Sequence, residues 1–134
     1  KNNSRIIKTC KHVPTIIVVS EIISKSNLNR LKKLSLEVIV CGKNQVNITK
    51  LLSILSKKGV KTVLLEGGGT LNHSFLKKHL IDKMIIALTP YVLGSENTIN
   101  LFEGMSFPEL KIKFPLKLKN IQKNGNEIIL HYEM

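Results

Sequence analysis

Residues 62–76 read TVLLEGGGTLNHSFL. An apolar run, TVLLE, ends on a carboxylate; three glycines follow, and then a segment whose apolar residues fall at helical spacing. Consecutive glycines cost a folded chain conformational entropy at every position, so a physical return is expected where they stand. Between a strand and a helix they bring backbone N–H groups to the helix start with no Cβ in the way, and the helix dipole favours negative charge there. An open α/β sheet places its ligands at that spot, outside the carboxyl end of a strand. The expected occupant is a phosphate or pyrophosphate, with Thr70 as helix cap and hydroxyl donor. A sharp turn with close helix–strand packing would use the same glycines, so GGG alone leaves both readings open. The pattern is neither the GxGxxG dinucleotide fingerprint nor a P-loop, since no GK[ST] follows. Glu66 sits awkwardly beside an anion and is expected to face ribose hydroxyls or heterocycle amino groups. Its alternative is a partly exposed strand-end glutamate.

Outward from this stretch, the chain alternates strand and helix signals. TIIVVS (15–20) and EVIVCG (37–42) read as strands buried on both faces. Ser26 to Leu34 carries Leu28, Leu31 and Leu34 at helical spacing. Asn47 is placed to cap a helix with Ile48, Leu51, Leu52 and Leu55 on one face, and Gly59 to stop it. Residues 62–66 are expected as a third buried strand, 70–80 as a helix with Leu71, Phe75 and Leu76 inward, and 83–90 as a fourth strand. A long loop over 91–114 precedes two antiparallel strands, 114–122 and 127–133, joined through the hairpin signal KNGN. The fold class is α/β: a mainly parallel sheet flanked by helices, with antiparallel strands at the C-terminus.

The 134 residues fit a single domain by size, and 43% hydrophobic with 22% charged residues is the balance of a globular chain. No apolar run is long enough for a membrane span, and no signal peptide opens the chain, so cytoplasm is expected. Cys10 and Cys41 have no CxxC spacing and read as two reduced thiols, with no metal site. The net charge of +12 admits two partners, nucleic acid or phosphorylated small molecules. The lysine pairs are spread over separate helix-like segments and aromatics are few, which disfavours nucleic acid. Residue 1 is Lys and the opening KNNS is polar, as in the middle of a longer protein.

Taken together, EGGGTLN (66–72), LIDK (80–83) and TPYVLG (89–94) resemble the reductase of riboflavin biosynthesis. That reductase occurs as a free-standing archaeal and fungal enzyme and as the C-terminal domain of the bacterial deaminase–reductase. The resemblance runs from TIIVVSE (15–21) to the terminal LKLKNIQKNGNEIILHYEM (116–134). It implies a dihydrofolate-reductase-like fold and NADPH-dependent reduction of a ribosylaminopyrimidine 5′-phosphate to its ribityl form. In that chemistry the ribose opens at C1′ and receives hydride from the nicotinamide, so the protein aligns two ligands and excludes water. No catalytic nucleophile or acid is expected.

Position by position, the resemblance makes Glu66 a substrate contact. It makes Gly67, Gly68, Gly69, Thr70 and Leu71 the NADPH phosphate-binding turn, continued by Asn72, His73 and Ser74. His73 is expected at the surface or cofactor rim, His12, His79 and His131 as solvated or edge residues, and Asp82 as an organiser of the helix–strand junction. The resemblance also implies a homodimer pairing near the C-terminal strands. Members of the family carry a further strand and a DGK-type substrate segment before the equivalent of TIIVVSE. The residues here are therefore expected to form one wall of a site and to be inactive alone. The competing readings are a non-catalytic basic module that binds nucleic acid or a partner, and a reductase of the same fold acting on another pteridine or pyrimidine. Salt-steep binding to mixed-sequence DNA separates the first of these from NADPH binding.

Overall fold

Two short apolar runs, IIVV and EVIV, form the first sheet of the computed structural model, which describes residues 4–92, 94, 100–104 and 114–134. The chain divides into two compact units, Lys1–Val63 and Leu64–Met134. In the first unit β1 (Ile16–Val19) and β2 (Glu37–Val40) pair in parallel, Ile16 opposite Glu37 and Val19 opposite Val40. The ladder continues past the strand ends, with Glu37 N–H donating to the Thr15 carbonyl at 2.9 Å and Cys41 N–H to Val19 at 2.8 Å. Helix α1 (Arg5–Thr9) precedes the sheet, α2 (Lys25–Lys32) connects its strands, and α3 (Ile48–Lys57) follows. Cys10, Leu31, Ile39, Cys41 and Ile48 are the buried apolar side chains here. Both cysteines are free. Helix α1 has no counterpart in the sequence reading: it is five residues long, its N-cap Ser4 makes no side-chain bond, and Ile6 is 60% exposed.

The helix ends are set by local chemistry that the sequence displays. The Ser24 hydroxyl accepts from Asn27 N–H at 3.2 Å and the Asn47 side chain from Lys50 N–H at 3.0 Å, so both helices start on polar caps. The end of α3 is a Schellman motif. Gly59, at φ +85°, donates to the Ser56 carbonyl at 2.9 Å, and Val60 N–H donates to Leu55 at 3.1 Å.

In the second unit α4 (Gly69–Leu76) leads to β3 (Lys83–Leu88), and the chain ends in β4 (Lys117–Asn124) and β5 (Glu127–Glu133). The sheet order is β3-β5-β4, antiparallel throughout. Asn124 and Glu127 close the hairpin around Gly125 and Asn126, as the KNGN signal anticipates. Ile128, Leu130 and Tyr132 share one face of β5 with Leu88, Ile86 and Met84 opposite them on β3. Asp82 orders the strand start through its carbonyl, which accepts from Met134 N–H at 3.1 Å. An exposed ion pair, Lys119–Glu133 at 2.8 Å, joins β4 to β5. The hydrogen bond from Lys119 holds the Glu133 carboxyl below its usual range, so the pair's contribution is present at neutral pH and fades as pH falls.

Three expectations need correction. Residues 62–66 join no ladder among the described residues, and Val63 and Leu64 are 47% and 76% exposed. The boundary between the units falls inside this run. An apolar run records a tendency to be buried, whereas a strand also needs a neighbour's backbone along its edge. Among the described residues the parallel part of the structure is thus the β1–β2 pair, and the antiparallel sheet is the larger. His131 lies in the central strand β5, where its Nε2 is buried without a partner among the described residues, rather than being solvated. His79 is exposed, as expected; it adopts φ +51° just past α4, and its ring lies tilted at 44° to Phe114 with centroids 5.4 Å apart. Most of the expected 91–114 loop lies outside the described residues.

Gly59→Ala isolates the backbone requirement, because nothing stands within 4 Å of the added Cβ among the described residues. The left-handed conformation alone is expected to cost about 1 kcal/mol, read as a lowered midpoint in urea unfolding with unchanged slope.

Candidate functional site

Helix α4 starts on a residue with no side chain. Gly68 is the N-cap, extended at φ −69° and ψ 171°, and its carbonyl accepts from Leu71 and Asn72 N–H at 3.0 and 3.1 Å. No acidic residue of the helix lies in its first turn. The positive end of the helix is therefore left without a counter-charge of its own. Thr70, expected as the cap, is instead the second helical residue, because the Gly68 carbonyl has already begun the hydrogen-bond ladder. Its hydroxyl donates to Glu103 Oε2 at 3.2 Å.

The three glycines answer to three different neighbours. A Cβ on Gly67 would stand 2.5 Å from Leu71 Cδ2, so the Leu71 side chain folds back over that glycine. This placement leaves Leu71 44% exposed, where helical spacing had it inward; Phe75 and Leu76, at 8% and 4%, are the residues that reach the core. A Cβ on Gly69 would stand 2.7 Å from the Asn100 carbonyl and 2.9 Å from Glu103 Cβ, so Gly69 is the point where residues 100–104 press against the helix. Around Gly68 a Cβ would meet nothing within 4 Å among the described residues. Gly68 is exposed, and among the described residues no neighbour accounts for its bareness.

Residues 100–104 are strapped to the first turn of α4. The Asn72 side-chain amide donates to the Leu101 carbonyl at 3.0 Å, while its Oδ1 is buried with no partner among the described residues. His73 is half-buried, with Nδ1 3.5 Å from where a Cβ on Gly104 would stand. Ser74 Oγ returns to the Thr70 carbonyl at 2.9 Å. Glu66 is exposed, immediately ahead of the turn. Residues 66–74 thus form one contiguous surface, exposed at Glu66, Gly68 and Thr70 and held by residues 100–104 at Gly69, Thr70 and Asn72. Among the described residues no group of three His, Cys, Asp or Glu side chains gathers to hold a metal ion.

The brace escaped the sequence reading. Asn100, Leu101 and Glu103 lie about thirty residues downstream in a segment with no hydrophobic period, and nothing but Gly104 marks it as structured. The arrangement fits an anion such as a phosphate: a helix start with no side-chain cap, a bare Cα at the cap, and a hydroxyl two residues on. The residues that would hold it are Gly67, Gly68, Gly69 and Thr70.

The family description RibD C-terminal domain matches residues 2–130, across both units. The chain is 34% identical over 124 residues to a 2,5-diamino-6-ribosylamino-4(3H)-pyrimidinone 5′-phosphate reductase of Aquifex aeolicus, covering 92% of this chain and 55% of that protein. A protein of the same description from Methanothermobacter thermautotrophicus is 33% identical over 119 residues, 89% of this chain and 55% of its own. The chain therefore spans about half the length of these curated relatives. A structure of Acinetobacter baumannii RibD superposes with a TM-score of 0.73 over 99% of this chain and 34% of that one, at 22% identity, which shows a shared fold.

The unequal glycines give a stability test. Gly69→Ala is expected to destabilise the protein by about 1–3 kcal/mol through overpacking against the Asn100 carbonyl. That loss runs against the gain of about 1 kcal/mol that alanine normally has over glycine in a helix. Thermal unfolding of this variant showing any stabilisation removes the brace from the picture.

Proposed function

Because the chain belongs to the RibD C-terminal domain family, we propose that it forms part of an NADPH-dependent reductase acting on a ribosylaminopyrimidine 5′-phosphate. The reaction converts the ribosyl side chain to ribityl in riboflavin biosynthesis. The reductase names of the relatives support the substrate class. The observation that carries the cofactor half is the bare, open Gly68 at an α4 start with no side-chain cap.

The nicotinamide, when bound, supplies the hydride; the protein's own work is to seat the cofactor and hold the substrate against it. Gly67, Gly68 and Gly69 present backbone N–H groups to the cofactor phosphates, and Thr70 adds its hydroxyl. Leu71 contributes by covering Gly67, which fixes the path of the turn. Asn72, His73 and Ser74 act from behind by holding the first helical turn and its strap in register. Glu66, exposed ahead of the turn, takes the substrate's ribose hydroxyls or pyrimidine amino groups as a hydrogen-bond acceptor. Two chains pair through the C-terminal strands, where Leu118, Ile121 and Ile128 share a face and are 46%, 58% and 43% exposed. The free, buried thiols of Cys10 and Cys41 suit a reducing compartment, the cytoplasm. No helix among the described residues is long and apolar enough to cross a membrane.

Gly68→Asp separates the site from the scaffold by moving two measurements in opposite directions. Aspartate is a favoured N-cap at an extended φ and ψ and complements the dipole, so stability is expected to hold or rise by up to about 1 kcal/mol. The same carboxylate stands where the cofactor phosphate would, so NADPH affinity by fluorescence titration is expected to drop at least tenfold. An unchanged Kd in the folded variant sinks the assignment of the turn.

A further inference from the structure

We propose that Glu103 is a resident competitor for the anion seat at the start of α4, and that a cofactor phosphate binds by displacing its carboxylate from Thr70. The inference rests on the reading of the glycine turn as a phosphate seat and goes beyond it by naming what already faces that seat. The helix brings no acid of its own to its first turn. The carboxylate that meets it comes from the strap, with Oε2 3.2 Å from Thr70 Oγ1.

Three physical points make this contact a competition. A threonine hydroxyl has one proton to donate, so it serves the carboxylate or a phosphate oxygen at any moment. Two anions within a few ångströms repel, most strongly at low ionic strength. The strap is also held by parts of the chain other than the carboxylate. Asn72 grips the Leu101 carbonyl at 3.0 Å, and the Asn100 carbonyl and the Glu103 stem rest on bare Gly69. The head group is thus free to rotate about its own side-chain bonds while the backbone of residues 100–104 stays in place. Without a ligand, Glu103 neutralises the helix start; with one, it swings out and leaves Thr70 to the phosphate.

Glu103→Gln tests this directly, because the amide keeps the shape and an acceptor for Thr70 while losing the charge. Fluorescence titration of NADPH is expected to give binding about fivefold tighter than wild type at low salt, with the advantage shrinking as salt is raised to 0.5 M. Glu103→Ala removes charge and acceptor together and is expected to shift affinity in the same direction, which keeps the test open if one variant folds poorly. Equal or weaker NADPH binding by folded variants overturns the inference and makes Glu103 a support of the seat. The two readings fail separately. If wild type binds NADPH and Gly68→Asp abolishes it while Glu103→Gln changes nothing, the seat stands and the competitor falls. If wild type and Glu103→Gln both leave NADPH unbound, the seat falls and takes the competitor with it.

Discussion

The close approach of the Asn100 carbonyl to the Cα of Gly69 is the constraint on which the rest of the site depends. That contact is possible because position 69 carries a hydrogen where every other residue type carries carbon. It sets residues 100–104 against the helix. From there the Asn72 amide finds the Leu101 carbonyl, and the Glu103 side chain comes within reach of Thr70. A helix of eight residues with a glycine cap has little intrinsic stability. The burial of Phe75 and Leu76 anchors its far half, and the strap anchors its near half. The glycine cap stays exposed between these two anchors, as bare backbone on a helix that is otherwise held.

Much of this architecture was legible where the physics is local. Asn47 and Gly59 bound α3 because a capping amide and a left-handed glycine act within one turn of where they stand. KNGN closes the terminal hairpin for the same reason, and the apolar alternation of β5 marks its two faces. TVLLE misled because apolar character says that a segment avoids water and says nothing of which backbone it pairs with. The exposure of Leu64 shows how far those two properties part company.

The site was half legible. EGGGT marked a helix start, which the structure places at Gly68 and Gly69, and the anion and cofactor readings belong to the proposed function. The division of labour among the glycines could not be read from three identical letters, because it is set by Leu71, by nothing, and by Asn100 with Glu103. Two of those neighbours are distant in sequence, and their approach is a tertiary event with no periodic signature. Thr70 lies two positions past the cap it was expected to be. The polar residue nearest a helix start is the natural candidate for its cap, and here the backbone carbonyl of Gly68 already fills that role.

The pairing of β3 with β5 has a consequence for how this chain tolerates change in length. Lys83 faces Glu133 and Leu88 faces Ile128, so the whole stretch from residue 89 to residue 127 is a closed excursion whose ends are pinned by an antiparallel ladder. Closing such an excursion costs entropy that grows only logarithmically, about 0.6 kcal/mol for each doubling. Closure entropy alone therefore penalises added length only weakly, while the contacts of 100–104 with Gly69, Thr70 and Asn72 fix the spacing inside the five-residue strap.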